Sequence, residues 1–380
     1  MVGSSDSEKV AEQYFPQKVY IVEESFAFPL TKTILKKLSD IPQEVIGHPL
    51  EALRKIKSLR DAIGEGKKYL LLTPKKGRFV RPCPCTPHYI GCNYFIINSD
   101  LNCPLDCSYC ILQQYLTNPL VTVHVNLQDL WKELDIFLAR KKLKALRIGT
   151  GELSDSLALD HITENSRDFI SYFREKKNVF FELKTKTINI DNILDLEPAE
   201  NIVVSWSLNS AKIAQEEEKG APLIGERIDA AKKVSEKGFR VGFHFDPLIR
   251  HPGWKNGYSR VVEKLLTNIP PSKIAWISLG SLRFPPLLKG IIKQRFPNTR
   301  IIYDEFILGK DGKLRYFRPH RLDLYQQMIR FIRNWGGEKI PLYFCMESEG
   351  IWEETLKCKP RGKRDVERSL SPLGNNQNLN

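Results

Sequence analysis

The sequence predicts an α/β fold: a full or partial (β/α) TIM-type barrel, with a small N-terminal α/β cap and a C-terminal basic β-hairpin. Three observations predict it. From residue 94 onward, short apolar runs alternate with amphipathic stretches at helical spacing, which implies a parallel sheet with helices outside. Polar residues gather after one predicted strand and then the next, where such a barrel keeps its active site. Three cysteines, Cys103-Pro-Leu-Asp-Cys107-Ser-Tyr-Cys110, stand in one loop after the first of those strands.

Taken in order, residues 1–15 are polar and expected to be disordered, and residues 16–80 read as the cap. Within the cap, 19–22 and 69–72 are apolar enough for strands, and 30–38 and 50–62 have helical spacing. The barrel is expected over 81–305. Its strands are 94–97, 145–148, 179–183, 202–207, 240–245, 274–279 and 300–303, with amphipathic runs such as 127–138, 224–237 and 257–266 between them. A hairpin, a helix and a last strand at 342–345 fill 306–358. The charged, Asn-rich stretch 359–380 is expected to be disordered.

The 380 residues are 42% apolar, enough for a substantial core. No run approaches the roughly 18 apolar residues of a membrane span, and the polar, acidic start is not a signal peptide. Clustered cysteines without a secretory signal indicate metal binding in a reducing, cytoplasmic setting. The net charge of +13 suits a polyanionic partner, and equally a generally basic protein.

The chemistry begins at Cys103, Cys107 and Cys110. Iron–sulfur clusters are usually held by four thiolates, so three leave one iron open to a small ligand. Structural zinc wants four closed ligands and usually a second C-x2-C pair, which the chain lacks. A second thiol group, Cys83, Cys85 and Cys92, lies in a Pro- and Gly-containing loop. It has no obvious fourth ligand, so free thiols are the simpler expectation, with a second cluster as the alternative. Strand ends add Gly149-Thr-Gly151-Glu152-Leu-Ser154-Asp155, Lys184-Thr-Lys186, Ser207-Leu-Asn209, and His244 with Asp246. Each alone reads more simply as a cap or loop hydrogen bond. In 304–321, Asp311-Gly312 signals a hairpin turn, and one arm mixes cations with aromatics, which suits nucleic acid, with a solubilising basic strand edge as the alternative.

The C-x3-C-x2-C loop, with Tyr109 before its last Cys, resembles that of the radical S-adenosylmethionine (SAM) enzymes. The resemblance implies a [4Fe–4S] cluster on Cys103, Cys107 and Cys110, with SAM on the open iron. It also implies a 5′-deoxyadenosyl radical that abstracts hydrogen from substrate. The Gly-Thr-Gly-Glu element is similar to the family's Gly-Gly-Glu, so Glu152 would receive the SAM amino group. Over nearly its whole length the chain resembles the spore photoproduct lyase family. The matching stretches include Leu153-Ser-Asp-Ser-Leu-Ala-Leu-Asp-His161, Val204-Ser-Trp-Ser-Leu-Asn209 and His251-Pro-Gly-Trp254.

That resemblance implies carbon–carbon lyase chemistry on a thymine dimer in DNA. It places Tyr109, Ser154, Lys186, Ser207 and Asn209 at SAM, and Arg315, Tyr316 and Arg318 at DNA. It further implies a flavodoxin- or ferredoxin-type reductant, no membrane, and a monomer. Two features depart from the family. Glu152 stands where the family has its hydrogen-returning Cys, and Leu120 and His124 replace two tyrosines. Either Cys345 returns hydrogen from another direction, making it a catalytic candidate with Glu152, or the substrate differs. A radical SAM enzyme with a non-DNA substrate and an inactive iron–sulfur nucleic-acid-binding protein remain the alternatives.

Overall fold

The computed structural model describes residues 13–86, 88–141 and 146–370. Its main sheet is a curled half-barrel. The parallel strands follow the order Phe95–Ile97, Leu146–Gly149, Val179–Thr185, Ile202–Ser207, Arg240–Leu248, Ile274–Ser281 and Leu342–Phe344, and Val80–Pro82 pairs antiparallel on the first edge. Sequences such as Val-Phe-Phe-Glu-Leu-Lys-Thr and Ile-Val-Val-Ser-Trp-Ser are nearly continuous in apolar residues because both faces of the sheet are covered. Helices Ile224–Lys237, Trp254–Asn268 and Arg318–Asn334 cover the outer face with Ile228, Val234, Val262, Leu265, Leu324 and Met328. Gly238, at φ +118°, ends the first of these helices in the left-handed conformation that glycine adopts without penalty.

The strand expected at 300–303 does not form. Ile301 and Ile302 are buried side by side, and the backbone turns, with Tyr303 N donating to Arg300 O at 3.2 Å. Leu342–Phe344 takes the edge position. Of the strand expected from 145, the structure describes Leu146 onward. The tail also differs: helix Lys363–Leu370 buries Val366 and Leu370, while 371–380 and 1–12 lie outside the described residues. No described helix is long and apolar enough to cross a membrane.

The N-terminal sheet crosses the boundary expected after residue 80. The N-terminal sheet has the order Gln43–Ile46, Lys18–Val22, Tyr69–Thr73, Val121–His124, Asp100–Leu101, so its last two strands come from beyond that boundary. Val80–Pro82 belongs to the half-barrel. The run 121–124 is short, and it is held between Tyr69–Thr73 on one side and Asp100–Leu101 on the other.

The inner face of the half-barrel is polar. Glu182 is 2% exposed and collects Ser205 Oγ at 2.5 Å, His244 Nε2 at 2.8 Å and Trp276 Nε1 at 3.0 Å, with Arg147 Nη2 at 3.8 Å. Arg147 stacks on Trp276 at 4.2 Å and donates to the Tyr343 hydroxyl at 3.2 Å. Burial alone would raise the Glu182 carboxyl. His244 and Arg147 override it and hold Glu182 well below the usual carboxylate range. A depressed carboxyl contributes stability above its unfolded pKa of about 4.3 and loses it as pH falls.

Removing one partner of such a buried pair costs about 3–5 kcal/mol, so Arg147→Met is expected to lower the denaturation free energy by that amount. Glu182→Gln is expected to flatten the acid limb of stability below about pH 4. Urea unfolding across pH checks both, and an unchanged midpoint in Arg147→Met would contradict the assignment.

Candidate active site at the mouth of the curled sheet

The three-thiol loop is an excursion from the N-terminal sheet, leaving after Asp100–Leu101 and returning at Val121–His124, strands that pair antiparallel. Asn102 takes a positive φ of 64°, which Asn tolerates. Its Oδ1 accepts from Cys103 N at 2.9 Å, and its Nδ2 donates to Pro119 O at 2.6 Å. Lys67, only 6% exposed, donates from Nζ to the carbonyls of Cys103 at 2.6 Å and Leu105 at 2.8 Å. Farther along, Asp106–Cys107 pairs antiparallel with Glu218–Lys219, and Gln113 Nε2 donates to Ser108 O at 2.8 Å. Arg295 joins Asp106 and Asp61, each at 2.9 Å.

Burial pushes the thiol of Cys103 well above its ordinary value and that of Cys107 to about 12. Cys103 and Cys107 lie within electrostatic reach of each other, as do Cys107 and Cys110. Among the described residues, no three ligating groups close on a single metal ion.

Several expected residues gather beside this loop. Tyr109 donates its hydroxyl to Glu218, and Glu218 also meets Arg227 Nη2 at 2.6 Å and Lys186 Nζ at 3.6 Å. Arg227 and Lys186 outweigh burial and hold the Glu218 carboxyl at about 2. Asp155 fastens the 149–158 loop to the next strand. It accepts from Leu157 N, Ala158 N, the Thr185 hydroxyl and Lys186 N at 2.6–3.0 Å. Ser154, next to it, has a buried Oγ with no partner. Ser207 is half-buried, its carbonyl accepting from Arg227 at 3.0 Å. Asn209 is 1% exposed, and its Oδ1 is already taken by Tyr258 OH at 2.5 Å and Ser210 N at 3.0 Å.

The opposite rim is different. Glu152 is paired with Lys184 rather than standing free for an ammonium group. The flanking glycines are needed by the protein itself: a Cβ on Gly149 would lie 2.2 Å from Glu182 O, and one on Gly151, at φ +92°, 2.6 Å from Lys184 O. Asp246 and Arg283 form a two-point ion pair at 2.9 and 3.1 Å. Arg283 Nη2 donates to Cys345 Sγ at 3.3 Å. Leu120 and His124 sit buried in the N-terminal sheet, and His124 stays neutral because burial and Lys75 push it down to about 3.

The hairpin forms as expected, Phe306–Leu308 against Leu314–Tyr316, with Arg283–Phe284 as a third strand. Two of its expected nucleic-acid contacts are corrected. Arg315 is 1% exposed, clamped by Asp311 Oδ2 at 2.7 Å and stacked on Tyr89 at 3.8 Å. Tyr316 is fully buried, stacked on Phe306, with its oxygen accepting from Arg250 N at 3.1 Å. Arg318 stays on the surface, paired with Glu354. Exposed instead are Leu308, Tyr303, Ile307, Phe317 and Lys310.

Lys67, Glu218, Arg227 and Arg295 were invisible in the sequence. Each reads as one of many charged surface residues, and only the fold brings it to the loop across 36 to 189 positions.

A curled half-barrel with three thiols on one loop at its mouth defines a protein of the radical SAM type. A profile of the spore photoproduct lyase family matches residues 14–334. The chain is 25% identical over 301 residues to the spore photoproduct lyase of Bacillus subtilis, covering 77% of this chain and 85% of the relative. To that of Geobacillus sp. it is 24% identical over 305 residues, covering 77% and 86%. A solved spore photoproduct lyase variant with a dinucleoside spore photoproduct superposes with a TM-score of 0.79 at 24% identity, covering 88% of this chain and all of that one. The chain belongs to the spore photoproduct lyase family.

Lys67→Met would strand the loop carbonyls it holds. Its expected cost is about 2–3 kcal/mol in stability, with faster loss of loop-bound iron to a chelator. Unchanged iron retention after anaerobic reconstitution would show that Lys67 does not set the loop.

Proposed function

We propose that this chain is a radical SAM lyase that restores thymines from a thymine-dimer photoproduct in DNA. The proposal rests on Asp155, next to the unpartnered buried Ser154 Oγ, and Lys186 lying within electrostatic reach of Cys103 and Cys107 respectively. Cys103, Cys107 and Cys110 would hold a [4Fe–4S] cluster through their thiolates. Ser154, Lys186 and Ser207 would contact SAM. Tyr109 and Asn209 take part chiefly by fixing Glu218 and Tyr258, to which their polar atoms are committed. When bound, the cluster and SAM supply the radical that removes a hydrogen atom from substrate.

The protein's own residues do the rest. Glu152, neutralised by Lys184, leaves the mouth without a free carboxylate there to repel a DNA phosphate. Asp246 and Arg283 hold Cys345, which we assign as the hydrogen donor to the product radical. The net charge of +13, with Lys310 and Arg318 beside exposed Leu308 and Phe317, favours a DNA substrate at the hairpin. A flavodoxin- or ferredoxin-class protein would deliver the electron.

Reduced protein, SAM and an oligonucleotide bearing the thymine photoproduct are expected to yield restored thymines under anaerobic conditions. SAM cleavage without restored thymines would overturn the substrate assignment. Ser154→Ala is expected to weaken SAM binding about 2- to 10-fold, the worth of one hydrogen bond. Cys345→Ala is expected to lower product yield about tenfold or more while SAM is still cleaved. Unchanged yield would eliminate Cys345 as donor.

A further inference from the structure

Two half-buried thiols at the mouth belong to neither the three-thiol loop nor the hydrogen donor. Cys83 and Cys85 flank Pro84 in a tight turn, where Cys83 N donates to Tyr94 O at 2.8 Å and Cys85 N to Cys83 O at 2.7 Å. Their side chains hydrogen-bond each other. Gly91 passes so close that a Cβ there would lie 2.5 Å from Cys85 Sγ.

This segment spans the seam between the two edges of the half-barrel. Ile90 N donates to Glu347 O at 2.9 Å, and Thr86 Oγ1 lies 3.6 Å from Met346 Sδ. Those contacts bring Cys345 beside the pair, within electrostatic reach of both thiols. The other groups facing Cys85 are Glu152 from its strand end, Lys363 from the C-terminal helix and the backbone N–H of Cys92. The Cys83 thiol and that N–H outweigh burial and Glu152, holding Cys85 down at about 7. Cys83, as donor of the shared bond, is pushed up. Cys85 is thus the thiol of the pair that gives up its proton first.

We propose that Cys83 and Cys85 are a redox-active dithiol that resolves the sulfur radical left on Cys345, an inference that rests on Cys345 being the hydrogen donor. In the first step the Cys345 S–H bond breaks, a C–H bond forms on the product, and a thiyl radical remains. The Cys83 thiol passes its hydrogen atom to that thiyl, restoring Cys345. The Cys83 thiyl then joins the Cys85 thiolate in a disulfide radical anion. Its extra electron goes to the oxidised form of a one-electron carrier of flavodoxin or ferredoxin class, leaving a disulfide. A dithiol reductant reopens it with two electrons and one proton, and Cys85 returns as the thiolate.

Two measurements on the reconstituted holoenzyme test this. Iodoacetamide labelling of Cys85, mapped by mass spectrometry, is expected to be half-maximal near pH 7 and to move upward in Cys83→Ser. After a single turnover with SAM and the photoproduct oligonucleotide, a Cys83–Cys85 linkage is expected in wild type and absent in Cys345→Ala. Cys85→Ser is expected to make about one product per protein and then stop. Product formed with both thiols still free overturns the proposal, as does sustained turnover in Cys85→Ser. If no product forms, the functional reading fails instead, and labelling alone decides: ordinary thiol behaviour above pH 9 overturns the dithiol.

Discussion

A thiol that has lost its water ionises only where positive charge or hydrogen-bond donors replace that water, and the mouth of this sheet is arranged around that requirement. Desolvation makes half-buried Cys103 and buried Cys107 resist ionisation, with Lys67 and Lys186 opposing it. Cys345 is half-buried, its thiol pushed up by desolvation, and the guanidinium touching it is tied to Asp246. Cys85 alone of these is eased toward the thiolate, by hydrogen bonds rather than by a full charge. Similar sulfur atoms therefore stand in different electrostatic settings a few residues apart. In the roles proposed above, that difference distinguishes metal ligand, hydrogen donor and redox pair.

Much of this was legible in the sequence. Parallel strands buried on both faces leave long apolar runs, so 179–183, 202–207, 240–245 and 274–279 stood out, and each strand forms. The thiol loop announced itself by spacing. Short strands were harder, because Gln43–Ile46 and Val121–His124 are stabilised by neighbours rather than by their own composition. Ile301 and Ile302 misled for the converse reason: two adjacent apolar residues can anchor a turn as readily as begin a strand. Arg315 and Tyr316 show a second limit. A basic, aromatic arm carries the composition of a nucleic-acid contact whether its side chains point outward or, as here, into Asp311 and Phe306. Pairings such as Lys67 with the Cys103 carbonyl have no local signature at all.

The charged interior of the half-barrel follows from its curvature. A sheet that curls without closing leaves an inner volume too narrow for helices, and side chains from facing strands must fill it. Here Glu182 and Arg147 place charge in it, and His244, Ser205 and Trp276 donate to or bond the Glu182 carboxylate. An apolar filling would tolerate sliding, whereas directional bonds fix each strand against the next. The polar ends of those strands inherit that fixed register.

The cysteine loop hangs from the N-terminal sheet by two strands that hydrogen-bond to each other, while the residues it faces grow from the half-barrel. Neither half owns the catalytic chamber. Cutting the chain near residue 80 would remove three strands of the sheet that carries the sulfurs and expose the flank of Val121–His124 to self-association. Evolution of the front section is thereby tethered to that of the back. A recombined chimera would inherit a working chamber only if it carried both ends of that sheet from one parent.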